Sequence, residues 1–266
     1  MPGRPWRGLT QRAVHWAWRR ARDAGAVTGD SPAGRKFAAF GPGSVLVFPP
    51  GAIFGEAWIE IGSGTIVGQH VSISAGIVPG QELGPTSLLR IGDGCVIGRG
   101  THIVAHQRID IGDDVFTGPY VYITDQNHEY ADPDVPIGRQ WPANAPVSIG
   151  AGSWLGAGAI VLPGSRIGRH VVVGAGSVVR GLVPDHCVVA GVPARIIRSY
   201  VAGDGWRPMR DGASRPSASQ TIASQTIASQ TTASQTTGPA GPAVPTGTLA
   251  DAEGVQGVPE PPHPVL

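Results

Sequence analysis

The sequence predicts an all-β chain wound into a triangular coil, and three regularities predict it. First, an aliphatic residue recurs every six positions: Ile61, Val67 and Ile73, then Ile91, Ile97 and Ile103, then Ile111, Thr117 and Ile123, then Ile149, Leu155 and Val161, then Ile167, Val173 and Val179. Only Thr117 departs, and self-similarity at a fixed period outweighs local propensity. Second, the residue after the aliphatic one is Gly in the first and second hexapeptide of each three, such as Gly62 and Gly68. In the third it is Ser74, Val104, Thr124, Leu162 or Arg180. The unit is therefore eighteen residues with three unequal sides. Third, the four interruptions, Ile59-Glu60, residues 79–90, Ile109-Asp110 and residues 129–148, all follow a third hexapeptide. They leave from one edge of the prism, and loops on a rigid scaffold are where binding and catalysis concentrate.

Each hexapeptide is expected to form a short strand and a corner, with Gly giving the corner its backbone freedom. Stacked coils pair strand on strand at about 4.8 Å. Their inward aliphatic residues then form one column that no single coil could bury alone. About five to six coils are expected between residues 45 and 201.

Residues 7–24 read as a helix, because Leu9, Val14, Ala17, Trp18 and Ala21 recur at three- and four-residue spacing. Arg7, Arg12, Arg19, Arg20 and Arg22 fill the other positions, and Gly25 suits the stop. A basic helix with Trp6, Trp16 and Trp18 can lie on a membrane surface. The preferred expectation is that it covers the open end of the prism, whose first coil otherwise exposes unpaired backbone. Residues 25–44 are a connector, so the region 1–44 precedes the coil. Residues 45–60 form an irregular first coil interrupted by Pro49, Pro50 and Gly51. From residue 202 the pattern ends. Ala218-Ser-Gln-Thr-Ile222 begins a five-residue unit that occurs four times, and Pro, Gly and Ala dominate to Leu266. So little hydrophobicity cannot offset ordering entropy, which predicts a disordered tail over 202–266.

Composition narrows the function. The net charge of +1 implies no general attraction for nucleic acid or membrane. No stretch approaches the roughly 20 apolar residues of a membrane span, and no signal peptide is evident, so a cytoplasmic chain is expected. Of the two cysteines, Cys95 takes an inward small-residue position and reads as a core hydrophobe. His102 and His106 lie four apart, which shares a face on a helix and not on a strand-corner unit. They read as solvated corner residues, as do His70 and His170, and no metal is expected. His128 differs: it sits at the lip of the longest loop, among Asp125, Asn127, Glu129, Asp132 and Asp134. An imidazole titrates near pH ~6.5, close to where a general base works best.

Residues 45–198 resemble the hexapeptide-repeat acyltransferases, most nearly the galactoside and maltose O-acetyltransferase-like sugar acetyltransferases. The resemblance rests on the repeat, on Ile123-Thr-Asp-Gln-Asn-His128, Asp132-Pro-Asp-Val-Pro-Ile137, Ser153-Trp-Leu-Gly156 and Ala190-Gly-Val-Pro-Ala-Arg-Ile-Ile-Arg198. It implies a left-handed parallel β-helix, a homotrimer with each site between two prisms, and acetyl-CoA as acyl donor. His128 matches the family's catalytic histidine, with Glu129 or Asp125 as candidates to orient it. Trp154 matches a tryptophan beside the pantetheine arm; packing against a neighbouring subunit is the alternative. Gly156, Ala157, Gly174 and Ala175 would let an extended cofactor lie close, and Arg195 and Arg198 match basic residues that meet CoA phosphates.

The function this implies is acetyl transfer from acetyl-CoA to a hydroxyl of a sugar, polysaccharide or glycolipid precursor. The alternatives are N-acetylation of an amino sugar or amino-acid-type acceptor, a non-catalytic trimeric scaffold, and a metal-dependent hydratase. Membrane association is left open.

Overall fold

The structure, a computed structural model, describes residues 6–209. The repetitive stretch of the tail, from Ala218, lies outside them. One helix, α1 (Trp6–Gly25), precedes a body of short strands. Within the coil, strands three apart join the same parallel ladder, so three sheets form its three faces. The first face has seven strands, from Ala39–Phe40 to Leu182–Val183; the second has nine, from Val45–Leu46 to Gly205–Pro208; the third has six, from Ile53–Phe54 to Val178–Val179. Six strands on the shortest face mean six complete coils, and the first begins at Ala39, ahead of the expected residue 45.

Register follows the hexapeptides. Ile61, Ile91, Ile111, Ile149 and Ile167 are successive partners on the first face. On the third face Ile73, Ile103, Ile123, Val161 and Val179 pair in the same way. All are buried, and each such side chain removed from water stabilises by about 1.5–3 kcal/mol. Thr117 is 1% exposed, yet its hydroxyl is satisfied: Gly98 N donates to Oγ1 at 2.7 Å. Cys95 is a core residue as expected; its N–H meets Thr65 Oγ1 at 3.0 Å, and its Sγ lies 3.1 Å from Gly112 O. Burial pushes the thiols of Cys95 and Cys187 up.

The recurrent glycines serve a different purpose from the one predicted. A Cβ on Gly118 would lie 2.6 Å from Ala157 N, and one on Gly156 would lie 2.6 Å from Ala175 N. These positions need Gly because the next coil's backbone is so near. Left-handed backbone occurs two residues further on, at positions such as Gly158 and Gly176.

Two expectations are corrected at the ends. Helix α1 does not cover the prism: residues 8–24 are exposed. The connector does that work instead. Val27 bridges Leu46, and Val27, Phe37 and Phe40 pack on the core, the two rings edge to face at 5.3 Å. At the other end, Gly205–Pro208 is a strand, although it falls in the stretch read as tail from residue 202. It pairs antiparallel with Ala194–Val201, which pairs antiparallel with Cys187–Gly191.

Candidate functional site

The predicted residues fall into two groups on different parts of the prism. His128, Glu129 and Asp125 belong to the edge between the third and first faces, where the long loop departs. That loop is pinched at its base by an antiparallel pair, Gln126 opposite Asn144 and Asn127 opposite Ala143. His128 follows this pair directly and is exposed. Beyond it the loop folds on itself: Gln140 Nε2 donates to Asp132 O at 2.9 Å and to Val135 O at 2.7 Å. Tyr130, Ile137 and Trp141 project outward, Trp141 with 81% of its surface exposed.

Neither carboxylate orients His128. Asp125 is fully buried and turned toward the preceding coil. Its Oδ1 accepts from His106 N at 2.8 Å, and its Oδ2 accepts from Gln107 N at 2.8 Å and Arg108 N at 2.6 Å. Holding three backbone N–H groups and making no bond to His128, Asp125 clamps a corner. Glu129 Oε1 accepts from Tyr130 N at 2.9 Å and Ala131 N at 3.1 Å, which fixes the loop's first turn. Among the described residues His128 makes no hydrogen bond.

A second histidine stands here that was read as a solvated corner residue. His106 is half-buried, and its Nδ1 is buried without a partner among the described residues. Burial pushes this imidazole below its ordinary value; the Asp125 carboxylate works the other way, and nearby His128 adds to the lowering. No sequence signal could have shown this, because His106 gains its surroundings from the next coil. Among the described residues no group of three or more His, Cys, Asp or Glu could hold a metal ion.

The second group runs along the outside of the second face. Phe116 pairs with Trp154, Trp154 with Val172, Val172 with Val188, and Val188 with Arg198. At one strand spacing per step, Trp154 and Arg198 stand about 14 Å apart. Arg195 joins the same side. The pairing shifts by one residue between Val188 and Val189, so Arg198 opposes Val188 while Arg195 opposes Ala190. Val188 and Ala190 both point outward, since Cys187 and Val189, which alternate with them, are buried. Ile196 turns inward onto the core. At the next corner Gly156 is buried, while Ala157 and Ala175 are exposed and Gly174 half-buried. Among the described residues the N–H groups of Ala157 and Ala175 donate to no backbone carbonyl. A groove of about 530 Å³ lies elsewhere, on the first face beside Arg90, Asp110 and Arg169, and none of the predicted residues lines it.

One chain therefore does not bring His128 together with Trp154, Arg195 and Arg198. Apart from Trp154, sequence reasoning also passed over the outward column of the second face. Val45, Ile66, Val96, Phe116, Trp154, Val172 and Val188 form seven apolar rungs in register. The outward column of the first face is polar between its end rungs Ala39 and Leu182: Glu60, Arg90, Asp110, Ser148 and Arg166.

Comparison with known proteins bears on this arrangement. Residues 146–181 match the family model described as bacterial transferase hexapeptide (six repeats). A galactoside O-acetyltransferase of Lactococcus lactis is 41% identical over 96 residues, which is 36% of this chain and 45% of that protein. The galactoside O-acetyltransferase of Escherichia coli is 35% identical over 101 residues, 36% of this chain and 46% of that protein. The chain spans about half the length of these curated relatives. In fold, it is similar to AntD, an N-acyltransferase from Bacillus cereus, solved as a point mutant in complex with dTDP and coenzyme A. The TM-score is 0.53 at 17% identity, over 75% of this chain and 97% of that one. Residues 146–181 thus match a hexapeptide-repeat model, and about a third of the chain is similar in sequence to galactoside O-acetyltransferases.

Proposed function

We propose that this chain is an acetyl-CoA-dependent O-acetyltransferase whose acceptor is a hydroxyl of a sugar, polysaccharide or glycolipid precursor. The observation that carries the reading is the outward column of the second face. It offers an aromatic ring, a run of small apolar rungs, and two guanidinium groups on one side. That order suits a ligand with an extended amide-bearing arm and phosphates at one end, since a guanidinium matches phosphate geometry. The unused N–H groups of Ala157 and Ala175 are donors for the arm. The relatives' names add the acetyl group and the sugar hydroxyl.

In this reading His128 takes the acceptor's hydroxyl proton as the oxygen attacks the thioester carbonyl. Negative charge collects on the carbonyl oxygen and is met by backbone N–H donors. The C–S bond then breaks, and CoA leaves as thiolate. Burial lowers the proton affinity of His106, which stands near His128.

Catalytic and donor groups lie on different faces of one prism, so a complete site needs two chains. A homotrimer that buries the apolar column and sets His128 of one chain against Trp154 and Arg198 of the next would supply it. The exposed Tyr130, Ile137 and Trp141 then reach across to a neighbour. Further parts of the proposal are a left-handed coil, a catalytic domain that includes the closing strands up to Met209, and a cytoplasmic location, where CoA thioesters are held. Among the described residues no helix is long and apolar enough to cross a membrane.

The test is calorimetric titration with acetyl-CoA and with adenosine 3′,5′-bisphosphate, followed by thiol release on sugar acceptors. Micromolar binding, weakened by Arg198→Ala or Arg195→Ala, is expected. His128→Ala should bind acetyl-CoA normally and release no thiol. Absence of binding at millimolar acetyl-CoA overturns the transferase reading; normal turnover by His128→Ala overturns the base.

A further inference from the structure

Helix α1 is left without a role by the coil. The open end it was expected to cover is already closed by Val27, Phe37 and Phe40. Its residues 8–24 are exposed on every side, with Leu9, Val14, Trp16 and Trp18 each more than half accessible. Yet its sequence is far from uniform around the axis. At about 100° per residue, Trp16, Leu9, Ala13, Ala17, Ala21 and Val14 fall within one arc of roughly 160°. The opposite arc holds Gln11, His15, Arg12, Arg19 and Arg22. Arg20 is the one charge inside the apolar arc, and its guanidinium lies 5.6 Å from the centre of the Trp16 ring. An arginine on a four-atom stem can cover apolar surface while its head reaches outward.

Charge is divided as sharply. Five arginines against Asp23 leave α1 at +4, and since the whole chain carries +1, the other 246 residues carry −3. The first turn has no acid to complement the helix dipole, and Arg22 sits in the last turn. So basic a helix with an apolar stripe suits a surface that is anionic outside and apolar just beneath. A contact between α1 helices of two copies would set +4 against +4. The helix is about 30 Å long, but five arginines bar it from spanning a bilayer, and it does not qualify as a span.

We propose that α1 lies in the plane of an anionic phospholipid bilayer, its Leu9–Ala13–Ala17–Ala21 stripe among the acyl chains and its arginines among the phosphates. Trp16 and Trp18 flank the apolar arc, at the level of the headgroups where amphipathic rings settle. The coil hangs from this helix through Gly25 and the Val27–Leu46 bridge. The inference is independent of the acetyl-transfer reading.

The test is co-sedimentation of the full chain with vesicles of phosphatidylcholine containing about 30% phosphatidylglycerol, beside vesicles of pure phosphatidylcholine. Partitioning onto the anionic vesicles should be at least roughly tenfold stronger and should fall as salt screens the surface charge. Arg12→Glu with Arg19→Glu, and separately Trp16→Ser with Trp18→Ser, should each lower it roughly tenfold, with melting and sedimentation velocity unchanged. Equal partitioning onto both vesicle types, or none, overturns the proposal. So does a tryptophan variant that dissociates an oligomer and still binds vesicles, which would make the stripe a contact between copies. Acetyl-CoA binding, measured on the same variants, should stay as in the wild type, so failure here leaves the transferase reading standing.

Discussion

Asp125→Asn should destabilise the coil without acting through His128. In the native chain the two carboxylate oxygens hold three backbone N–H groups, at 2.8, 2.8 and 2.6 Å, from residues 106–108. A hydrogen bond to a charged acceptor contributes about 1.5–3 kcal/mol. An asparagine keeps one acceptor oxygen and places an NH₂ against the remaining N–H groups. Between one and two of the three bonds survive, and any N–H left buried keeps its desolvation cost. We predict a loss of about 3 kcal/mol. For a folded body of some 200 residues, each kcal/mol moves the melting temperature by about 2–4 °C, so Tm should fall by roughly 6–12 °C. Scanning calorimetry of the full chain reads this directly, and amide exchange at residues 106–108 should lose protection. The reasoning is refuted if Tm moves by less than about 2 °C. It is also refuted if exchange at 106–108 is unchanged while turnover collapses, since that pattern belongs to a residue that only orients the base.

Two further predictions follow from the packing. Gly118→Ala puts a Cβ 2.6 Å from Ala157 N, which forces the stacked backbones apart; a loss of about 1–3 kcal/mol is expected from urea denaturation, and a neutral result would show the coils can part freely. His106 has its proton affinity lowered in the fold, so the unfolded chain binds more protons wherever the two differ. This contribution is fully present above about pH 6.5 and is lost as the pH falls below it. In His106→Gln it should be absent, so the stability gap between variant and wild type should narrow or reverse from pH 7.5 to pH 5.5; a gap that does not vary with pH would refute it.

The inward architecture was legible because burial acts on every sixth residue alike. Ile61, Ile91 and Ile111 announce their stacking with no knowledge of the rest of the chain. What was misread depends on the neighbouring coil, which the linear order hides. Gly118 and Gly156 looked like flexible corners and are close approaches to backbone nearly forty or twenty residues away. Asp125 looked like a partner for the histidine three residues on, yet its donors belong to residues 106–108. The apolar rungs Ile66, Val96 and Phe116, in line with Trp154, could have been found in the sequence. They occupy one position of the second hexapeptide, where the first hexapeptide carries Glu60, Arg90 and Asp110. The role of α1 was misjudged because periodicity shows an apolar stripe and not what meets it. His128 was legible as a residue at a loop mouth, and the structure leaves it exposed there.

A coil whose rungs all repeat is also a polymer waiting for a next unit: the last turn of one molecule resembles the first turn of another. The second face blocks such head-to-tail growth at both ends. At the start, Val27 caps Leu46 in the antiparallel sense. At the finish, Ala194–Val201 and Gly205–Pro208 extend that face alone, so it has nine strands against seven and six on its neighbours. A stepped end cannot seat the flat triangular start of another molecule, and the outermost strand, four residues long, ends in a proline that lacks the N–H a ladder needs. That edge strand also carries the charge of Arg207, which further discourages pairing with another chain.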